Sequence, residues 1–263
     1  MGTTTIDNLK TLKAKKQKFA VLTAYDYSFA AMIEDAGIEV TLVGDSLGNV
    51  IQGQDTTIPV TVDEMAYHTA AVKRAVKNSL LITDMPFMSY STEAQAMDNA
   101  AELMQAGAQM VKLEGGEWLA DTVYALTERG IPVCGHVGLT PQSVFKLGGY
   151  KVQGKNQMAA EKMLTEAKIL EQAGADLIVV ECVPTALGKK LAESLDIPVI
   201  GIGAGPDTDA QVLVLHDMLG ISKKLPKFSK NYLEQCSNIQ EAISTYGEEV
   251  RSGTFPSPEN CFN

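Results

Sequence analysis

The chain has 263 residues, 45% of them hydrophobic, and a formal net charge of −10. That length suits a single barrel domain as well as two smaller units. An acidic balance with no basic stripe argues against nucleic acid or an anionic membrane surface as a partner. No apolar run approaches the roughly 18 residues that would span a bilayer, and residues 1–18 are polar and lysine-rich, without the apolar centre of a secretory signal. Cys134, Cys182, Cys236 and Cys261 form no C-x-x-C pair. Cys134 and Cys182 lie in apolar runs and read as reduced core thiols, and the expected compartment is the cytoplasm.

After that N-terminal segment, short apolar runs recur at Phe19–Ala24, Val40–Val43, Leu80–Thr83, Met110–Leu113, Pro132–Gly135, Leu177–Val180, Pro198–Ile202 and Val212–Leu215. They are continuous rather than alternating, which suits strands buried on both faces of a parallel sheet. The last run could equally belong to a helix. Amphipathic stretches separate them at Ser28–Ala36, Val62–Val76, Glu93–Ala106, Glu117–Arg129, Gln157–Ala173 and Thr185–Leu195. Gly37, Gly107 and Gly174 each stand just past a helix end, where a left-handed cap is cheap for glycine.

Strands alternating with helices predict an α/β parallel architecture, either a closed barrel or an open doubly wound sheet. The open sheet usually carries a glycine fingerprint after its first strand. Here that strand runs into Ala24-Tyr25-Asp26, so the reading is a single (β/α)8 TIM barrel over residues 1–263. Residues 217–263 form a C-terminal helical extension, with one outer helix at Ile239–Val250 and a loose tail at Ser252–Asn263. The loop Thr140–Lys155 is long for a βα connection and reads as a lid or binding loop.

Barrel chemistry sits at the C-terminal ends of the strands. Here the second strand runs into Gly44-Asp45-Ser46 and the third ends at Asp84. The fourth carries Lys112 and ends at Glu114, the fifth ends at His136 and the sixth at Glu181. The seventh runs into Gly201-Ile202-Gly203-Ala204-Gly205, a loop able to cradle phosphate or simply to give a ligand room. Taken singly, Asp45 could cap a helix, Asp84 could brace a turn before Pro86, Lys112 could be half of a buried ion pair and His136 a satisfied core histidine. Four carboxylates gathered at one mouth are costly unless a cation meets them, and oxygen donors suit a hard divalent metal such as magnesium. His68, His216 and Trp118 read as structural, Trp118 as packed on a helix face. Zinc is not expected, because His or Cys ligand spacing is absent.

These strand ends lie inside longer segments: Thr23-Ala24-Tyr25-Asp26, Val43-Gly44-Asp45-Ser46-Leu47-Gly48, Ala66-Tyr67-His68-Thr69, Asp84-Met85-Pro86-Phe87, Val111-Lys112-Leu113-Glu114-Gly115-Gly116, Gly135-His136-Val137-Gly138-Leu139-Thr140-Pro141-Gln142 and Gly149-Tyr150-Lys151-Val152-Gln153-Gly154. Together with the Gly201–Gly205 run they resemble the ketopantoate hydroxymethyltransferase family, in register from about residue 3 to about residue 250. The resemblance implies transfer of a one-carbon unit from 5,10-methylenetetrahydrofolate to 3-methyl-2-oxobutanoate, with Mg2+ as cofactor. It implies Asp45, Asp84 and Glu114 as metal ligands, directly or through water. It implies Asp45, Ser46, Asp84 and Lys112 at the ketoacid, His136 lining it, and Glu181 as catalytic base. It also implies a homo-oligomer, commonly a decamer. Two positions depart from the family pattern. Gln54 stands where a histidine or tyrosine is expected, and Lys223-Lys224-Leu225 replaces a more glycine-like stretch. Two rivals stay open: a magnesium barrel that cleaves pyruvate-like acids without folate, and a catalytically silent barrel.

Overall fold

Each of the apolar runs contributes residues to a strand, and each strand pairs in parallel with its neighbours. The strands are β1 (Phe19–Thr23), β2 (Val40–Val43), β3 (Leu80–Asp84), β4 (Met110–Glu114), β5 (Val133–Gly138), β6 (Leu177–Glu181), β7 (Val199–Ile202) and β8 (Ala210–Leu213). They follow in sequence order, and β8 pairs back onto β1 with Phe19 opposite Ala210, closing a (β/α)8 barrel. This computed structural model describes residues 2–263. Among them no helix is long and apolar enough to cross a membrane.

The helices are α1 (Ile6–Ala14), α2 (Tyr27–Asp35), α3 (Leu47–Val50), α4 (Val62–Lys73), α5 (Glu93–Ala106), α6 (Ala120–Thr127), α7 (Val144–Leu147), α8 (Gln157–Gln172), α9 (Thr185–Ser194), α10 (Leu215–Met218) and α11 (Ile239–Ser252). Side-chain caps set several starts: Asp26 accepts from Phe29 N–H, Thr61 from Glu64 N–H and Asn156 from Ala159 N–H, each satisfying an amide with no intrahelical partner. The glycines after α2, α5 and α8 take positive φ, as their positions predict.

Side chains alternate across a strand, so each strand has an inward and an outward row. Phe19, Val21, Val40, Leu42, Leu80, Ile82, Met110, Cys134, Leu177, Val179, Ile200 and Val212 pack together inside the barrel. The same parity, carried two residues further, turns Asp84, Lys112, Glu114, His136 and Glu181 toward the axis. The lower end is closed by α1, whose Leu9 is fully buried against that interior and whose Lys10 and Lys13 pair with Asp176 and Asp209.

Two expectations need correction, the bounds of the eighth strand and the looseness of the tail. The eighth strand begins two residues early, because Val214 leaves the ladder and Leu215 opens α10. Only a seven-residue turn, 203–209, separates β7 from β8, held by Lys18 Nζ donating to the carbonyls of Pro206 and Thr208. The terminal helix α11 lies outside the barrel as expected and is tightly docked there: Tyr246 is fully buried, and its hydroxyl donates to the carbonyls of Val21 and Gln211 on β1 and β8. The segment after it is docked rather than loose. Thr185 N–H and Oγ both donate to the Phe262 carbonyl, Lys227 Nζ to that of Cys261, and Phe255 is buried.

Candidate active site

A cavity of about 910 Å3 opens at the C-terminal ends of the strands. It is lined by all seven residues singled out from the sequence: Asp45, Ser46, Asp84, Lys112, Glu114, His136 and Glu181. Strand register makes the clustering a matter of backbone geometry. Asp84 lies opposite Lys112, and Glu114 opposite His136. At the edge of β5, Gly138 adopts φ +95°, and a Cβ there would come within 2.3 Å of the Glu181 carbonyl oxygen. Only glycine lets β6 approach that closely, and Glu181 stands where it does as a result.

Lys112 Nζ lies 3.1 Å from Asp84 Oδ1, 3.9 Å from Glu114 Oε1 and 3.0 Å from His136 Nδ1. The other ring nitrogen of His136 is 3.3 Å from Glu181 Oε2. A chain of contacts thus runs from Asp84 through Lys112 and His136 to Glu181. Glu181 is the most open member, with 13% of its side chain exposed against 5% or less for Lys112, Asp84, Glu114 and His136, so it is the one that faces an incoming ligand. On the other flank, Asp45 N–H donates to Asp84 Oδ2, and the Tyr25 hydroxyl is 2.8 Å from Ser46 Oγ.

The electrostatics are unbalanced. Four carboxylates face one ammonium and one imidazole. Burial, then the charges of Glu114 and Asp84, push the Asp45 carboxyl well up. Burial likewise raises Asp84 against the pull of Lys112. Burial would lower Lys112, but Asp84, Glu114 and Asp45 outweigh it and keep the amine protonated. Burial would raise Glu114, yet His136, Lys112 and the Gln142 N–H reverse that and hold it low. Burial and the Lys112 charge oppose protonation of His136, and Glu114 and Glu181 together raise it.

Asp84 Oδ1 and Glu114 Oε1 are sealed from solvent without a hydrogen bond, although both lie near Lys112. Buried carboxylate oxygens left this way, amid excess negative charge, fit a divalent cation. Among the described residues no three His, Cys, Asp or Glu side chains already surround one point. Magnesium does not need that, since it commonly keeps water and substrate oxygens beside one or two carboxylates.

Gln142 belongs to the site and was missed from the sequence as an individual residue. It is buried; its N–H donates to Glu114 Oε2, and its side-chain amide to Asp45 Oδ2 and to the Met85 carbonyl. Tyr90 in turn donates to Gln142 Oε1. The Thr140–Lys155 loop is thus partly a structural member of the site, with Tyr150 on the cavity wall. Other readings change as well. His216 lines the cavity, whereas His68 is satisfied by the Tyr25 carbonyl. Trp118 is exposed on a 3-10 turn, stacked 6.1 Å from the Tyr90 ring. Gly203 and Gly205 make room for Phe228, Phe262 and Thr185 rather than for an open cradle.

A closed parallel barrel with buried acids and a lysine at its mouth defines the class: a barrel enzyme with an acid-lined active-site cavity. Which family it is follows from comparison with known proteins. A sequence profile of ketopantoate hydroxymethyltransferase matches residues 3–258. A 3-methyl-2-oxobutanoate hydroxymethyltransferase from Shewanella sediminis (strain HAW-EB3) is 59% identical over 264 residues, covering 100% of both chains. One of the same name from Marinomonas sp. (strain MWYL1) is 59% identical over 98% of this chain and 94% of its own. The chain belongs to the ketopantoate hydroxymethyltransferase family and is a hydroxymethyltransferase of pantothenate biosynthesis. Similar folds include a putative phosphonomutase from Burkholderia cenocepacia J2315, with TM-score 0.63 and 16% identity over 82% of this chain and 95% of that one. A phosphonopyruvate hydrolase in complex with oxalate and Mg++ gives TM-score 0.62 and 14% identity, covering 81% of each chain.

Proposed function

We propose that the chain moves the one-carbon unit of 5,10-methylenetetrahydrofolate to carbon 3 of 3-methyl-2-oxobutanoate, with water supplying the hydroxyl oxygen, to give 2-dehydropantoate and tetrahydrofolate. The observation that carries this reading is the placement of Glu181, open to the cavity and 3.3 Å from the His136 ring, beside a buried cationic and acidic cluster.

Carbon 3 of the ketoacid carries a weakly acidic hydrogen, and its removal leaves charge on the keto oxygen. Glu181 takes that proton as general base, with the His136 ring 3.3 Å away as its charged neighbour when protonated. Lys112 sets a fixed positive charge near the substrate oxygens, where its pull strengthens as negative charge develops in a site shielded from water. Ser46, oriented by the Tyr25 hydroxyl, hydrogen-bonds the substrate carboxylate. The Thr140–Lys155 segment shields the mouth on the Tyr150 side. Asp45, Asp84 and Glu114 would hold Mg2+, directly or through water, with Gln142 fixing two of them. When bound, the ion supplies Lewis-acid charge at the keto oxygen.

The test is an assay of tetrahydrofolate release with 3-methyl-2-oxobutanoate, run with Mg2+ and again with chelator. The expected outcome is turnover that needs the ketoacid and is lost on chelation. Cleavage of a ketoacid without folate would replace this reading with that of a lyase.

A further inference from the structure

The cavity is much larger than a five-carbon ketoacid requires. Its volume of about 910 Å3 is of the size that encloses a drug-sized ligand. The cluster on β3 to β6 occupies one side. The other side, formed by β8, α10 and the chain that follows, takes no part in the chemistry derived above, yet it carries polar groups of its own. Asp217 lines this half, is only 8% exposed, and accepts through Oδ1 from the Ser222 hydroxyl. Among the described residues nothing donates to its Oδ2. That oxygen is not sealed off, and Asp217 lines the cavity, so a donor on a bound ligand can reach it. Asp217 also feels the charge of Glu181, so the two carboxyls share one enclosed space. His216 lines the same wall, with its Nδ1 sealed and unpartnered.

Further out, Lys223 and Lys224 border the cavity, are exposed, and make no ion pair among the described residues. The wall is therefore polarised, with an acceptor deep inside and positive charge at the rim. A reduced folate has the complementary polarity. The 2-amino and ring N–H groups of its pyrimidinone form a guanidine-like pair of parallel donors, the arrangement a carboxylate accepts in bidentate fashion. Its other end is a glutamate bearing carboxylates. A phosphate-bearing ligand seated with its phosphate deep in the cavity would be repelled by Asp217.

We infer that the β8 side of the cavity seats the reduced folate, Asp217 accepting from the 2-amino and ring N–H edge and Lys223 and Lys224 engaging the carboxylates of the glutamate tail. The inference rests on the folate reading proposed above.

The test is titration of tetrahydrofolate, under anaerobic conditions, into the full-length wild-type chain, Asp217→Asn and the double variant Lys223→Glu/Lys224→Glu, with dissociation constants read by calorimetry. Asp217→Asn removes the charge and turns one of the two acceptor oxygens into a donor facing a donor, so the constant should rise about tenfold or more, the loss of one charge-assisted hydrogen bond. The double variant should weaken binding about fivefold, with the loss shrinking at high salt. The Kd of 3-methyl-2-oxobutanoate and the thermal midpoint confirm that each variant is folded. Wild-type affinity in both folded variants would overturn the inference while leaving the folate reading in place. A wild-type chain that binds no tetrahydrofolate would overturn both. Should Asp217→Asn fail to fold, the double variant decides: salt-sensitive weakening supports the inference, and unchanged affinity overturns it.

Discussion

With Lys112 Nζ 3.1 Å from Asp84 Oδ1 and 3.9 Å from Glu114 Oε1, truncating this side chain would strand two buried carboxylates. Breaking a buried pair from one side costs about 3–5 kcal/mol. Lys112→Met should therefore lower the unfolding free energy by that order in a urea titration without added metal. A loss below about 1 kcal/mol would mean that the carboxylates meet burial by holding protons instead. Gln142 calls for a different measurement, because it touches the proposed metal ligands rather than the ion. Removing such a supporting partner commonly weakens metal affinity about 10- to 100-fold. Gln142→Ala should show that loss by Mg2+ calorimetry, with its thermal midpoint showing that the fold survives. Unchanged affinity would leave Gln142 a purely structural role. Asp84, Lys112, Glu114 and Glu181 were legible from the sequence because a charge within or at the end of an apolar strand must be matched by a partner or a ligand once buried. Gln142 and Tyr90 were not, since both reach the site from loops whose paths depend on the barrel already being closed.

The elements show the same division. Runs buried on both faces are visible as runs, so β1 to β7 fall where the apolar segments place them, to within two residues at most ends. The strand β8 includes Gln211, whose side-chain amide turns to the Gly205 carbonyl and the Thr208 hydroxyl, and the apolar run beside it is split between strand and helix. The docking of α11 and the last residues rests on partners far away in the chain, such as Val21 for Tyr246 and Thr185 for Phe262, and no local pattern announces it. Tyr246→Phe tests how much this docking contributes. It strips the donor from two buried carbonyls, and should destabilise the chain by about 1–3 kcal/mol with little effect on turnover. A neutral result would mean that the apolar packing of α11 suffices to dock it.

Across the whole molecule, eight parallel strands turn one inward row per strand into an apolar floor and an ionisable mouth. That arrangement brings Asp84, Glu114 and Glu181, far apart in sequence, to a single cavity. A fully apolar interior would give more stability, and the buried charge is retained where it can act on a substrate. The central claim is that this convergence makes Glu181 the group that removes the ketoacid's carbon-3 proton. The most direct measurement is loss of the carbon-3 proton signal of 3-methyl-2-oxobutanoate in deuterium oxide with Mg2+, followed by NMR for the wild-type chain and Glu181→Gln. We predict exchange in the wild type and a fall of at least about 100-fold in the variant, with ketoacid affinity retained. Exchange at the wild-type rate in Glu181→Gln would contradict the account.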